Sequence, residues 1–346
     1  MSENTKYRSR SEIHNTKKQH TKIVQNTKQI KPMKRKQKKS GCLKWLLLII
    51  LIFIVAIAGY LWSLYRGVEK FSNSVYTSRP AEQQVLRSEK VTDIVQKKKP
   101  FSVLVLGVDT GELGRTEVGR SDVMMVVTVN ANKKQTTIVS IPRDTRTEIV
   151  GRGTEDKINH AYAFGGVAMS VNSVQKLLGI PIDYTVTVNM GDFEKVVDAL
   201  GGVDIAPLAT FYESDSGYNF VQGQMTHMNG EKALAYVRNR NESGGDYGRQ
   251  ERQRQLVGAM LSSAKSIDTL TSTQSIFNSL ESVVKTDVKF DEMKDIAQNY
   301  TGALGKVNQL QLSGSGQMID GVYYDIPNPD SLEQVKQSLK SELEIQ

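Results

Sequence analysis

The sequence predicts a layered α/β domain with a central mixed sheet, preceded by a single transmembrane helix. Three observations predict it. Apolar runs rich in valine and isoleucine (FSVLVLGVD at 101–109, SDVMMVVTVN at 121–130, TTIVSIPRD at 136–144, IDYTVTVN at 182–189) alternate with segments of helical spacing. The runs are near-continuously apolar, which describes strands covered on both faces by other layers. Ahead of them lies one stretch without a charge, WLLLIILIFIVAIAGYLWSLY at 45–65.

In chain order, residues 1–44 come first. They hold fourteen Lys/Arg against two acids, a net of +12. The whole chain of 346 residues carries +8, so the other 302 residues carry 8 − 12 = −4. The basicity therefore belongs to a polar, Lys- and Gln-rich tail that reads as disordered and cytoplasmic, and a nucleic-acid-binding domain is not implied. Residues 45–65 follow. Twenty-one residues at about 1.5 Å each span roughly 31 Å, the hydrocarbon thickness of a bilayer. Trp45 and Trp62 sit near the ends, and the basic cluster KRKQKKSGCLK lies immediately before. By the positive-inside rule the N-terminus stays in the cytoplasm and the rest lies outside. The competing reading is a cleaved signal peptide, with Ala56-Ile57-Ala58 before Gly59, but the apolar run continues through Tyr60, Leu61 and Trp62. The single cysteine, Cys42, precedes the apolar run and has no partner for an intramolecular disulfide.

Residues 66–100 read as an extracellular stalk with helical patches, ending in KKKP, and 101–346 as the globular domain. Within it, AYAFGGVAMSVNSVQKLLG runs to a glycine stop at Gly179, and GDFEKVVDALGG closes at Gly201. The helices GEKALAYVRNR and DYGRQERQRQLVGAMLSSAKS follow, then two more through about Leu304. Strands VNQLQLSG and GVYYDIP and a closing helix DSLEQVKQSLKSEL complete the chain.

Charged residues at strand ends are the candidates for chemistry, because ligands gather on loops at sheet edges. Asp109 ends one apolar run and Asp122 begins the next. If those strands form an antiparallel pair, their carboxylates could share a hard cation such as Mg²⁺, which prefers phosphate oxygens and water as further ligands. The alternative is that each caps a turn or pairs with an arginine. Arg120, Arg143, Arg238, Arg240, Arg249, Arg252 and Arg254 occupy the motifs although lysine is abundant elsewhere. Guanidinium forks make two parallel bonds to a phosphate, which lysine cannot do. Against that stands a solvated basic helix, with Glu251 and Glu231 as partners. The patterns of a P-loop, a Ser nucleophile elbow and a His-rich metal site are missing from the sequence. His160, in KINHAYAFGG, reads as readily as a helix cap as a catalyst.

LGVD, GRSDVMMVVTVN, SIPRDT, KINHAYAFGG, VDALGGV, AYVRNR and DYGRQERQ, in this order, resemble the LytR–CpsA–Psr family from residue 101 to at least 265. The resemblance implies an Mg²⁺-dependent phosphotransferase on the outer face of a Gram-positive cell membrane. Its donor would be an anionic glycopolymer, teichoic acid or capsular polysaccharide, on an undecaprenyl-pyrophosphate carrier. Its acceptor would be the 6-hydroxyl of N-acetylmuramic acid in peptidoglycan, joined through a phosphodiester. The implied metal ligands are Asp109 and Asp122. The implied pyrophosphate-binding arginines are Arg120, Arg143, Arg238, Arg240 and Arg249, with Arg252, Gln253 and Asp246 toward substrate. The implied partners are the lipid-linked polymer, peptidoglycan and the bilayer, with no nucleic acid. Family members also bury the prenyl tail in an apolar cavity whose walls no residue pattern here marks. Thr110 stands where some members carry another arginine. The alternatives are a polyprenyl-pyrophosphate hydrolase using the same site, and a membrane-bound envelope regulator or sensor. As general base for the incoming hydroxyl, Asp109, Asp122 and Asp246 stay open.

Overall fold

In the computed structural model, residues 62, 65–109, 119–239, 244–265, 278 and 280–346 are described. The basic tail, Cys42, nearly all of the 45–65 span, Thr110 and Arg240 lie outside them. Among the described residues no helix is long and apolar enough to cross a membrane.

The central sheet is built by strands β1 (Phe101–Val108), β2 (Ser121–Asn130), β3 (Gln135–Ser140), β6 (Tyr184–Asn189), β11 (Val284–Thr286) and β12 (Lys306–Gln311), in the order β11-β6-β1-β2-β3-β12. Strands β1, β2 and β3 pair antiparallel, whereas β6 joins β1 and β12 joins β3 in parallel, so the sheet is mixed. Alternation sends Leu104, Leu106, Met124, Val126 and Val139 to one face. There they pack on α2 (His160–Leu178) and on α7 (Pro329–Leu343), through Val171, Val174, Leu177, Val335 and Leu339. Helix α2 bends at Gly165–Gly166 and stops at Gly179, whose φ is 65°. On the other face Met125, Val127 and Ile138 meet Val257 and Leu261 of α5 (Gly245–Lys265). Helices on both faces explain why the strands read as uninterrupted apolar runs.

Between β6 and α5 a smaller lobe is inserted. It contains α3 (Phe193–Ala199), the short strands β7 (Val203–Ile205) to β10 (Thr226–Met228), and α4 (Gly230–Arg238). Its own core joins Val197, Phe211, Phe220, Tyr236 and Leu256. Two further hairpins, β4–β5 (Arg146–Ile149, Thr154–Lys157) and β13–β14 (Gly314–Ile319, Val322–Pro327), meet where Thr145 bridges Asp325.

The segment read as a stalk is bound to the domain instead of standing free. Arg87 reaches Asp183 at 2.7 Å, Arg79 reaches Asp287 at 3.3 Å, and the Gln84 backbone donates to Asn172 at 2.8 Å. Helix α1 (Val91–Gln96) buries Ile94 and Val95 against Phe101, Tyr184 and Tyr300. Sequence reading missed this because the matching acids lie about a hundred residues or more downstream.

Candidate functional site

The site begins with the register of β1 on β2. Leu106 faces Met124 and Gly107 faces Val123, but Val108 faces Ser121. Asp122 is therefore the extra residue of a β-bulge, a device that re-aims a side chain at a sheet margin. One strand over, Asp109 closes β1 by accepting from the Arg120 backbone N–H at 2.6 Å, while its own N–H donates to the Arg120 carbonyl at 3.3 Å. That close approach requires Gly119, because a Cβ there would collide with the Asp109 carboxylate and backbone. The exit of β1 and the start of β2 meet as the antiparallel pairing anticipates.

Both carboxylates line a polar cavity of about 660 Å³ together with Arg238, Arg249 and Gln253. Arg238 comes from the last turn of α4; Arg249 and Gln253 lie on α5, one helical turn apart, so they share a face. Arg249 is 5% exposed and pairs with Asp246 at the start of the same helix. Arg143 follows β3 and joins the group through Asp122, its Nη1 lying 3.0 Å from Oδ1. Its Nε sits 3.6 Å from Asp144, which also receives Lys157 at 2.9 Å. Burial pushes the Arg143 pKa down, but the neighbouring charges of Asp122, Asp144 and Asp246 outweigh it and raise the net value. Asp109, Asp122, Arg238 and Arg249, from four separate stretches, thus line one pocket, and Arg143 stands behind it on Asp122. Arg120 stays exposed at its margin, its backbone holding Asp109.

Arg252 departs from the expectation that it meets substrate, for it lines neither this cavity nor the apolar one below. It is 1% exposed, donates from Nε to the Tyr236 carbonyl at 3.0 Å and from Nη2 to the Asn239 carbonyl, and lies 5.5 Å from the Phe211 ring centroid. Burial lowers its pKa. It ties off the end of α4 next to Arg238. Its position three residues after Arg249 leaves it only about 60° round the helix from that residue, yet its guanidinium is drawn off to the Tyr236 and Asn239 carbonyls at the end of α4.

A second cavity, about 310 Å³, opens beside the first and shares Val123, Met190, Val237 and Gln253 with it. Val105, Met125, Val186 and Val188 of the sheet form its floor, Phe193, Val196 and Leu200 one wall, and Leu256, Val257, Met260 and Leu261 of α5 the other. These residues went unmarked in sequence, since Val and Leu read alike in a packed core and around a void. A weak signal exists in hindsight: α5 keeps large apolar residues in a helix of otherwise polar composition.

For a divalent cation the donor set is Asp109 and Asp122. Among the described residues no group of three or more His, Cys, Asp or Glu could enclose a metal. Two hard carboxylates without soft ligands, facing a polar cavity, suit Mg²⁺, which keeps waters and takes phosphate oxygens, and do not suit a structural zinc.

Comparison with known proteins identifies the family. Residues 68–341 match the LytR_cpsA_psr family. The polyisoprenyl-teichoic acid–peptidoglycan teichoic acid transferase TagU of Enterococcus faecalis is 43% identical over 296 residues, 85% of this chain and 95% of that protein. The crystal structure of Bacillus subtilis TagU superposes with a TM-score of 0.58 at 40% identity, covering 72% of this chain and 99% of that one. The family protein YwtF (TagT), solved with bound octaprenyl pyrophosphate lipid, superposes with a TM-score of 0.60 at 30% identity, covering 78% of this chain and 99% of that one.

Proposed function

As the chain belongs to the LytR–CpsA–Psr family, we propose that its two joined cavities hold the two halves of a polyprenyl-pyrophosphate-linked glycopolymer. The protein is a transferase that moves this glycopolymer from its lipid carrier to peptidoglycan. One observation carries the assignment of halves: a charged chamber and an apolar chamber share a common wall at Val123, Met190, Val237 and Gln253. That pattern fits an amphiphile with a diphosphate head and a hydrocarbon tail. The octaprenyl pyrophosphate bound by YwtF has the same two parts.

The chemistry follows from the charges. Arg238 and Arg249 of the charged cavity, with Arg143 behind Asp122, would neutralise the diphosphate, so charge building on the departing lipid phosphate is stabilised during in-line displacement. Being arginines, they remain cationic at any physiological pH and bind phosphate in fixed geometry. Asp109 and Asp122 would hold Mg²⁺, which when bound supplies Lewis-acid polarisation of phosphate oxygens. The backbone bond from Arg120 pre-orients Asp109, and Arg143 pre-orients Asp122. Gln253, at the junction, can donate to the phosphate nearest the tail. The acceptor sugar's hydroxyl forms the new bond to the polymer-side phosphorus, and the lipid leaves as its monophosphate. Residues 45–65 anchor the enzyme in the membrane, and the domain works outside it, where its acceptor is.

Full-length protein in detergent, supplied with lipid-pyrophosphate-linked glycopolymer, Mg²⁺ and purified peptidoglycan, should yield wall-bound polymer and an equal amount of lipid monophosphate. Lipid monophosphate without wall-bound polymer would identify a hydrolase and reject the transferase reading.

A further inference from the structure

We propose that Tyr323 is a sugar-stacking platform for the acceptor, the glycan strand of peptidoglycan; this rests on the transferase reading above. Tyr323 lies on β14, opposite Met318 of β13. Alternation puts it on the same face of the hairpin as Asp325, two residues on. That face looks toward the site. Asp325 is buried, takes the Tyr247 hydroxyl at 2.8 Å from the start of α5, and donates its backbone N–H to the Asp144 carbonyl at 2.9 Å. Asp144 in turn pairs with Arg143. Tyr323 is thus linked through Asp325 and Asp144 to the arginine that holds Asp122.

The ring is seated. A Cβ on Gly316 would come within 2.7 Å of Cε2 and the hydroxyl of Tyr323, so the phenol end of the ring rests against a residue that has no side chain. The side chain remains 47% exposed, and Met318 beside it is 63% exposed. Lys157 Nζ stands 6.0 Å from the ring centroid. Burial, then the charges of Asp325, Asp144 and Asp246, raise the pKa of the phenol and keep it a hydrogen-bond donor.

A flat ring with an apolar face and a polar rim matches a pyranose, which has an apolar C–H face and a rim of hydroxyls. The two exposed side chains are far too small an apolar area for a stable protein partner, which needs roughly 800 Å² on each side. The donor's own sugars have room elsewhere. The charged cavity continues into a polar cleft of about 560 Å³ through Glu194, Leu234 and Arg238. Tyr323 lines none of these cavities. It sits on an open hairpin, which suits an insoluble strand that cannot enter a cleft.

The test compares Tyr323→Ala, Tyr323→Trp and Tyr324→Ala in the full-length protein. Tyr324 lies on the opposite face of the same hairpin by alternation. Lys157 Nζ stands 6.0 Å from both ring centroids, so this substitution perturbs the hairpin and that shared neighbour while leaving the Tyr323 ring against Gly316. Co-sedimentation with purified peptidoglycan sacculi should weaken roughly five- to tenfold for Tyr323→Ala. Binding should persist for Tyr323→Trp and change less than about twofold for Tyr324→Ala. In the coupled assay the acceptor KM should rise by the same factor, with the donor KM unchanged. Unaltered sacculus binding overturns the proposal, as do equal losses in both alanine variants, a shift in donor KM alone, or a loss confined to anionic phospholipid vesicles. Failure of the unsubstituted protein to transfer polymer would reject the transferase reading, while the sacculus measurement still decides the platform.

Discussion

Two arginine–aspartate pairs stand at ends of the same sheet, and they do opposite work. Arg87 and Asp183 meet at 2.7 Å with side chains 12% and 1% exposed, where the 66–100 segment crosses the domain. Arg143 and Asp122 meet at 3.0 Å with side chains 24% and 36% exposed, beside the charged cavity. At the first, Asp183 also accepts from the Ser102 backbone at 2.9 Å and Arg87 donates to the Pro100 carbonyl at 3.1 Å, so the charges are consumed by the fold. At the second, the Asp122 carboxylate is left facing a chamber. An ion pair that is closed on all sides serves structure; one that is open on one side can exchange its partner for a ligand.

That contrast can be broken at several points. The largest expected effect is on stability: Arg87→Ala leaves a buried carboxylate uncompensated and should cost about 3–5 kcal/mol in chemical denaturation. Next comes Arg143→Ala, which should lower transfer roughly 10²–10³-fold while costing less than about 1 kcal/mol of stability. Severe unfolding of this variant would erase the distinction between the two pairs. Arg252 sharpens the rule, since it is an arginine of the signature stretch that is fully buried. Arg252→Met keeps the packing volume but orphans the Tyr236 and Asn239 carbonyls, and should cost about 1–3 kcal/mol by the same denaturation measurement. Its loss of transfer should track the unfolded fraction, unlike that of Arg143→Ala.

Smaller still is the effect of filling the apolar chamber. Val186→Phe places a ring in the floor and should raise the KM for a long-prenyl donor roughly tenfold, with little change for a donor of very short prenyl chain. The smallest effect is a pH dependence at the closed pair. Burial raises the pKa of Asp183, and the Arg87 charge and the Ser102 bonds oppose it. Without Arg87 the folded-state value rises further above the unfolded one. A raised carboxyl contributes most to stability below its unfolded pKa and loses that contribution as pH rises through the folded value. The deficit of Arg87→Ala should therefore shrink by about 1 kcal/mol between about pH 8 and about pH 5. A deficit that grows on acidification would mean that Asp183 is not the group left behind.

Much of the site was legible before any coordinates. Asp109 and Asp122 stand out at strand ends, Arg238 and Arg249 as arginines in a lysine-rich chain, and Gln253 through the family resemblance, and all five line one cavity. Arg252 shows the limit of such reading. Spacing along a helix gives an angle about the axis, but not which angle faces the core. The apolar chamber, the seating of Tyr323 on Gly316 and the binding of the 66–100 segment were illegible for a related reason: each depends on residues far apart in the chain meeting in space.

By itself the sequence determined the α/β class, five of the six strands of the central sheet, the longer helices and the charged residues at their ends, while the short strands β4, β5, β7 to β11 and β13 went unread. What was read follows from local rules: period, apolar continuity, breakers and the cost of burying a charge. Only the tertiary structure decided which arginine is spent on the fold and which faces a ligand, and where packing leaves a void. Burial and cavity shape are sums over distant neighbours, and no window of the chain contains those neighbours.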